Sequence, residues 1–479
     1  MDSMPDQHPL DYIFHPRSVA VVGASTHEGP GSQFLGAIKE MGFEGPIYPV
    51  NPKATEILGL ICYPRLRDVP GSVDHVISSV PTPVVPELVE DCGLKEVKTL
   101  HFFTAGFSET GEEARGELER WVVQRARELG IRIIGPNCMG LYVPSVGLSF
   151  NPGLPRRPGP VAFISQSGAN AGDFIRVTAL RGVRYSKVIS YGNAADLDES
   201  DFFQYCAADP ETRVIASYIE GVKDGRRFIQ ALRQAASVKP VAILKGGRTE
   251  AGGRAAHSHT GALAGSVQVF DAACRQAGAV RVDTMEDLAD VIVAMDFLGG
   301  LSGQRVGVVG SGGGQSVLAA DEAVGAGLEV PALPEETQEK LRQFTPVAGT
   351  SVRNPVDTNV GWSRNPDLVL DTLRLVAEAP NIDFVLFHLH FDGGPMRADP
   401  LKRAEDLADS VTAVLPHLRK PLAIVARSPV QAESFAAVVA FQARVSRAGV
   451  AVFPSIFRAA RALGRLIEWQ QSRRDLVMP

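Results

Sequence analysis

Short apolar runs alternate with amphipathic segments along the whole chain, and this alternation restricts the fold more than any other feature. "SVAVVGA", "PIYPVN", "HVISSVP", "TLHFFTAG" and "IRIIGPN" have the length and β-branched content of buried strands, and helical periodicity lies between them, as in 112–129. Strands that are apolar on both faces need helices on both sides, so the pattern predicts parallel sheets built from βαβ units. The pattern restarts twice. After the connector "PSVGLSFNPGLPRRPG" come "PVAFISQSG", "SKVISYGN", "RVIASYIEG", "PVAILKGG" and "AVRVD". After "LGGLSGQ" come "RVGVVGSGGG", "FVLFHLHFD", "PLAIVARS" and "VAVFPS". The expectation is an α/β chain of three doubly wound domains, over residues 1–143, 158–299 and 304–479. A length of 479 residues agrees, being too great for one ordinary core.

Composition narrows the function classes. A net charge of -6, with 45% hydrophobic and 21% charged residues, gives no global reason to expect nucleic acid or an anionic membrane. The start "MDSMPDQHPLDYIF" lacks the basic and apolar segments of a secretory signal, and no uncharged run reads as a membrane span, so the expected location is cytoplasmic. The five cysteines are scattered without a CxxC pair, which predicts free thiols and no zinc knuckle. "FHLHFD" alternates His388, His390 and Asp392, but with no further ligand set it reads as a polar strand end, and no metal is assigned to this chain.

Each unit opens with glycine and serine where a strand feeds a helix, a geometry that leaves helix N–H groups free for an anion. In the first, Gly23, Ala24 and Ser25 follow the strand, but the spacing departs from GxGxxG. An NAD site would place an acidic side chain after the second strand; here stand Asn51 and Lys53. A lysine there suits a phosphorylated ribose, such as the 3′-phosphate of coenzyme A, and equally suits a solvent-facing turn. In the third unit "GSGGG" reads equally as an anion-binding turn or as tight strand-to-helix packing.

"AAHSHTGALAGS" places His257 and His259 among small residues, where a histidine is presented to a ligand or is incidental to a surface loop. The segment 246–265 contains six glycines and little apolar bulk, and is expected to be a mobile loop. Ser165, Ser167 and Gly168 in "SQSG" and Glu220 in "YIEG" stand at strand ends. Taken alone they read as a helix cap and an exposed charge.

Read together, "FHPRSVAVVGAS", "GPIYPVNPKATEILGLICYPRLRDVP", "TAGFSETGEEA", "IRIIGPNCMGLY", "FISQSGANAG", "YIEGVKDGRRF" and "LKGGRTEAGGRAAHSHTGALAGS" resemble the NDP-forming acyl-CoA synthetases, the family of ADP-forming acetyl-CoA synthetase and succinyl-CoA synthetase. The likeness covers nearly the whole chain. It implies a CoA-binding Rossmann-like domain followed by two flavodoxin-like domains. His259 matches the family's phosphorylated histidine, and His257 does not. Glu220 matches its orienting glutamate, and Ser165, Ser167 and Gly168 match its phosphate-binding helix start. Gly23, Ala24, Ser25, Asn51, Lys53 and Asn137 fall where coenzyme A is held. A neutral imidazole is nucleophilic near pH 7, so a phosphohistidine divides one exchange into two steps.

The family also needs an ATP-grasp domain, and three α/β units leave no room for one. The resemblance therefore implies an α subunit, with ATP or ADP and Mg2+ on a separate β subunit, a small carboxylic acid or acyl-CoA as substrate, and an oligomer. A CoA-binding scaffold without activity is the alternative, and retention of Glu220 and His259 weighs against it. An NAD-dependent dehydrogenase is disfavoured by Lys53.

Overall fold

The computed structural model describes residues 8–260, 266–310, 312–345, 350–358, 366–392, 399–427, 429 and 431–477. The chain divides into two compact units, one of Met1–Arg176 with Arg184–Met285 and one of Val177–Val183 with Glu286–Pro479. The first unit holds two of the three main sheets.

The first sheet is formed by β1 (Val19–Val22), β2 (Ile47–Val50), β5 (His75–Ser78), β6 (Thr99–Phe102) and β7 (Arg132–Ile134), in the order β2-β1-β5-β6-β7, with a small hairpin of β3 (Glu56–Ile57) and β4 (Leu60–Ile61) outside it. All its pairings are parallel. β1, β5 and β6 are buried at every position because helices cover both faces. Leu88, Val89 and Cys92 of the helix Val85–Leu94 and Val122 and Ala126 of the helix Glu113–Glu128 supply one layer of that core.

The second sheet contains β8 (Gly140–Tyr142), β9 (Val161–Ser165), β10 (Tyr185–Ser190), β11 (Val214–Ile219), β12 (Val241–Lys245) and β13 (Val280–Val282), in the order β13-β12-β11-β9-β10-β8. It is parallel except for β8, which pairs antiparallel to β10 at the edge. Residues 140–142 thus belong to the second sheet although they precede the connector. In the second unit, β14 (Val306–Gly310), β15 (Val356–Asp357), β16 (Phe384–Leu389), β17 (Leu422–Ala426) and β18 (Ala451–Phe453) form a parallel sheet in the order β15-β14-β16-β17-β18.

Leaving out β3, β4 and β8, the strands of each sheet follow one order, 2-1-3-4-5 counted along the chain. Each sheet therefore reverses direction once, beside its first strand, and loops at the carboxyl ends there diverge to leave a crevice. In the first sheet the crevice lies between β1 and β5, in the second between β9 and β11, and in the third between β14 and β16.

One expectation fails. Residues 250–260 form the helix Glu250–Thr260 rather than a loop. Thr249 Oγ1 accepts the N–H of Gly252 at 3.1 Å at its start, three alanines favour the helix, and Ala256 is buried on its inner face. His257 and His259 lie in its last turn; their side chains, and residues 261–265, fall outside the described residues.

In the third sheet, Gly310 is explained by packing: a Cβ there would stand 2.0 Å from His388 Nε2. Gly312 donates its N–H to Asp357 Oδ1 at 3.2 Å. His388 is buried, and burial drives its pKa down to about 4. His390 is exposed, with Nδ1 2.9 Å from the carbonyl of Asp392. Among the described residues no group of three or more His, Cys, Asp or Glu is placed to hold a metal, and no helix is long and apolar enough to cross a membrane.

Candidate active site

The carboxyl ends of β5, β6 and β9 and the loop after β7 enclose a cavity of about 570 Å³, lined by residues 79–83, 103–105, 137–139 and 167–169. One of its walls follows β5, which borders the crevice of the first sheet, and another is the turn after β9, which borders that of the second. Of the residues singled out from the sequence it brings together Asn137, Ser167 and Gly168.

The 167–169 side is the amino terminus of the helix Gly168–Ala179, whose first N–H groups have no partner one turn back. Ser167 Oγ accepts the N–H of Asn170 at 3.4 Å, a weak cap. Gly168 cannot be replaced without displacement, because a Cβ would stand 2.5 Å from Met139 Cγ. Ser165 is not at the cavity. It is fully buried, and its hydroxyl donates to the Ser167 carbonyl at 2.7 Å and accepts the Ser167 N–H at 3.3 Å. It shapes the turn from beneath.

The opposite side rests on the first sheet. Ser79 donates its hydroxyl to the carbonyls of Val22 and Gly23, each at 3.2 Å, tying the cavity wall to the turn after β1. Gly23 has φ +90° and lies against Ser79, where a Cβ would meet Ser79 atoms at 2.8–2.9 Å. Ala24 is buried, and its carbonyl accepts Asn51 Nδ2 at 2.6 Å; Asn51 Oδ1 in turn accepts the Lys53 N–H at 2.8 Å. The Asn51 amide nitrogen thus ties the end of β2 to that of β1 and its oxygen closes the turn that follows, while Lys53 stands at an exposed position. Ser25 Oγ accepts the N–H of His27 at 3.0 Å. Gly23, Ala24, Ser25, Asn51 and Lys53 form one cluster at the ends of β1 and β2, joined to the cavity through Ser79.

The 135–137 loop is locked to the second sheet. Asn193 and Ala195 donate their N–H groups to the carbonyls of Pro136 and Gly135 at 3.0 and 2.9 Å. A Cβ on Gly192 would stand 2.2 Å from the Pro136 carbonyl oxygen, which requires the glycine of "YGN". Asn137 has φ 58°, the left-handed region that asparagine tolerates better than most residues. Cys138 is buried with its thiol directed to the Phe102 carbonyl, and burial pushes its pKa up. That thiol stays protonated and unreactive.

Glu220 lies across the second crevice, one residue beyond β11, and is buried. Register pairs Tyr218 with Ser165, which sets Glu220 level with the turn after β9. Four residues not singled out from the sequence fix it. Gln166 Oε1 accepts the N–H groups of Glu220 and Gly221 at 2.7 and 3.0 Å. Tyr218 donates its hydroxyl to Glu220 Oε1 at 3.1 Å, and the Asn170 side chain hydrogen-bonds the same tyrosine. Burial, then the nearby carboxylate, raise the tyrosine pKa, so it remains a donor. Buried Lys245 donates to the carbonyls of Glu220 and Gly246, each at 2.5 Å. Gly246 leaves space for the tyrosine, since a Cβ there would stand 2.6 Å from its hydroxyl.

The helix Glu250–Thr260, which carries His257 and His259, packs against the turn Ser108–Thr110. In that turn Glu109 accepts the N–H groups of Gly106 and Phe107 at 2.6 and 3.1 Å and Asn193 Nδ2 at 2.7 Å. The buried Glu220 carboxylate and the helix N-terminus at Gly168, at one sheet end, can orient an imidazole and hold an anion.

Comparison with known proteins agrees in every unit. A CoA binding domain model matches residues 17–144, a succinyl-CoA ligase like flavodoxin domain model 158–295, and a Ligase-CoA domain model 306–467. The chain is 41% identical over 379 residues to the α subunit of ADP-forming acetate-CoA ligase II of Pyrococcus furiosus, covering 79% of this chain and 81% of that subunit. It is 38% identical over 380 residues to the ADP-forming acetate-CoA ligase I of Archaeoglobus fulgidus, where the match covers 79% of this chain and 54% of the relative, so the chain spans about half of that longer protein. Among solved structures, the dinucleotide-forming acetyl-coenzyme A synthetase 1 of Ca. Korarchaeum cryptofilum, in complex with phosphate and ADP, is 33% identical, with a TM-score of 0.84 and 97% of each chain covered.

Proposed function

The chain belongs to the NDP-forming acyl-CoA synthetase family, and from that membership we propose that it is the α subunit of an ADP-forming acid-CoA ligase. Residues 1–143 bind coenzyme A, 158–299 carry the phosphohistidine, and 304–479 form the third, ligase-like domain. A separate ATP-grasp β subunit supplies the ADP or ATP site and Mg2+.

The observation that supports this reading most is the cavity that sets Asn137 and the loops after β5 and β6 against the helix start at Ser167 and Gly168, with Glu220 anchored to Gln166 in the turn that leads into that helix. Phosphate held by the N–H groups of that helix start attacks the thioester carbonyl. The C–S bond breaks, and the thiolate of coenzyme A leaves and takes a proton. His259 then attacks phosphorus of the acyl phosphate, the P–O bond to the acyl group breaks, and the free carboxylate departs. ADP on the β subunit receives the phosphoryl group, and every step runs in reverse. Glu220 accepts a hydrogen bond from one imidazole nitrogen and leaves the other free to attack, while Gln166 and Tyr218 hold the carboxylate in place.

Phosphate labelling tests this. With acyl-CoA and labelled phosphate, or with labelled ATP and a β subunit, His259 is expected to carry acid-labile, base-stable label. His259→Ala abolishes it, His257→Ala retains most of it, and Glu220→Gln lowers it. Label that survives His259→Ala and vanishes with His257→Ala would reverse the assignment. Sustained ATP formation by the isolated chain would overturn the separate nucleotide subunit.

A further inference from the structure

We infer that His101 is a positioning residue for the reaction: its ring N–H holds the Cys138 carbonyl, and with it the loop 137–139 that faces the helix start at Gly168. The inference rests on the acyl-CoA ligase reading and adds to it a residue that stands behind the cavity rather than in its lining.

Side chains alternate along β6. Leu100 and Phe102 belong to the core covered by the helices Val85–Leu94 and Glu113–Glu128, so His101 faces the other layer. There it packs against Gly140, where a Cβ would stand 2.4–2.6 Å from Cε1, Nδ1 and Nε2 of the ring. The Phe34 ring, from the helix Pro30–Met41, meets it edge-on at a centroid distance of 5.6 Å, and the His75 ring lies 6.3 Å away. Nε2 is 3.0 Å from the Cys138 carbonyl oxygen, which can only accept, so Nε2 carries the proton. Nδ1 is then the bare nitrogen, and it is buried without a partner. Burial pushes the ring pKa down to about 4, so at neutral pH the Nε2 proton is the only ionisable one. Enclosing an unpaired nitrogen costs free energy that an aliphatic residue at this strand position would not. What the chain gains in return is one bond, and that bond goes to the loop of the site.

The loop is held from both sheets. On the side of the first, Asn137 and Cys138 donate their N–H groups to the carbonyls of Thr104 and Phe102 at 3.1 and 3.4 Å. On the side of the second, buried Ser190 Oγ accepts the Met139 N–H at 3.1 Å. The single peptide unit between Cys138 and Met139 is therefore clamped at both ends by side chains, its oxygen by His101 of β6 and its N–H by Ser190 of β10. Without the imidazole the oxygen is a buried acceptor with no donor, and rotation of the peptide toward the cavity relieves that only by breaking the bond to Ser190. Such a rotation brings the negative end of the peptide dipole to face the N–H groups of the helix start, where phosphate needs positive potential.

The test is the rate at which labelled phosphate enters His259 of the full chain, with whichever of acetyl-, isobutyryl- and benzoyl-CoA labels wild type fastest. Calorimetric titration with CoA on each variant counts the folded sites. A glutamine amide nitrogen reaches as far as Nε2 and donates, whereas an asparagine amide reaches only as far as Nδ1. His101→Gln is expected to keep the apparent second-order constant for phosphate within about threefold of wild type. His101→Asn and His101→Leu are expected to lose about ten- to a hundredfold, with CoA affinity unchanged. Either of these two that binds CoA and labels as fast as wild type overturns the inference and leaves the ligase reading standing, as does His101→Gln that is as slow as His101→Leu. Where neither folds, wild type decides: nitrogen-15 spectra of the histidine rings, with the His101 signal identified by its loss in His101→Gln, are expected to show a slowly exchanging Nε2–H, and an Nδ1–H tautomer overturns the inference. Wild type that binds CoA yet takes label from none of the three thioesters overturns the ligase reading, and the inference with it.

Discussion

Replacing Gln166 by leucine exchanges its carboxamide for methyl groups and leaves the N–H groups of Glu220 and Gly221 without the acceptor they share at 2.7 and 3.0 Å. Gln166 and Glu220 are both buried, and a leucine fills the space without offering an acceptor. An unsatisfied buried donor costs about 1–3 kcal/mol, so two cost about 2–6 kcal/mol, a large part of the usual stability of a folded unit. At about 2–4 °C per kcal/mol for a unit of this size, the melting temperature falls by the order of 10 °C. The effect is local, so the assay must be local too: hydrogen exchange of peptides spanning 214–224, followed beside calorimetric melting. Faster exchange is expected at Glu220 and Gly221 in Gln166→Leu. In Gln166→Glu, which keeps an acceptor, exchange stays slow while the added carboxylate beside Glu220 lowers phosphohistidine formation. A Gln166→Leu chain with unchanged melting and unchanged exchange refutes the claim that this glutamine holds the carboxylate in place.

Lys53 is exposed at the end of β2, so coenzyme A is expected to bind a few-fold more tightly than its dephospho form, with Lys53→Ala and high salt each removing the difference; equal wild-type affinities exclude the contact. His75 and His101 are fully enclosed, and burial lowers their pKa values from 6.5 to about 3 and about 4. The unfolded chain therefore takes up protons first, so the stability these rings allow is complete above about pH 6.5 and lost as pH falls from there, by about 2 kcal/mol for each ring at pH 5. Melting scans from pH 7.5 to 5 check this, with His101→Gln expected to flatten the slope.

The strands are legible in the sequence because each is a short apolar run closed by glycine, proline or a small polar residue, and parallel sheets buried on both faces write themselves that way. β8 is not. Gly140–Tyr142 is three residues long, and what makes it a strand is β10, more than forty residues later. The helix Glu250–Thr260 is hidden by its glycines, whose cost is offset by the Thr249 cap and by Ala256 against the protein interior. Within the site, Asn137, Ser167 and Gly168 stand out because a strand end meets a turn there. Tyr218 carries a subtler signal: in "YIE" residues 218 and 220 share one face of the strand, so a hydroxyl beside Glu220 follows from the period of two. Gln166, Lys245 and Met139 carry none, because their partners come from neighbouring strands and loops.

The three sheets share one strand order, yet the loops after the first and third strands of each give their crevices different chemistry. In the first, Gly23 packs on Ser79, and among the described residues the loop after β5 gives the cavity an uncharged wall. In the second, the same topological position holds Gln166 and Glu220, joined by hydrogen bonds that run from the turn after β9 to the end of β11. In the third it holds Gly310 packed on His388, a ring kept neutral by its burial. Because β9 is the first strand of its sheet and the 135–137 loop is bonded to the end of β10, the uncharged wall and the anchored carboxylate are held in one compact unit.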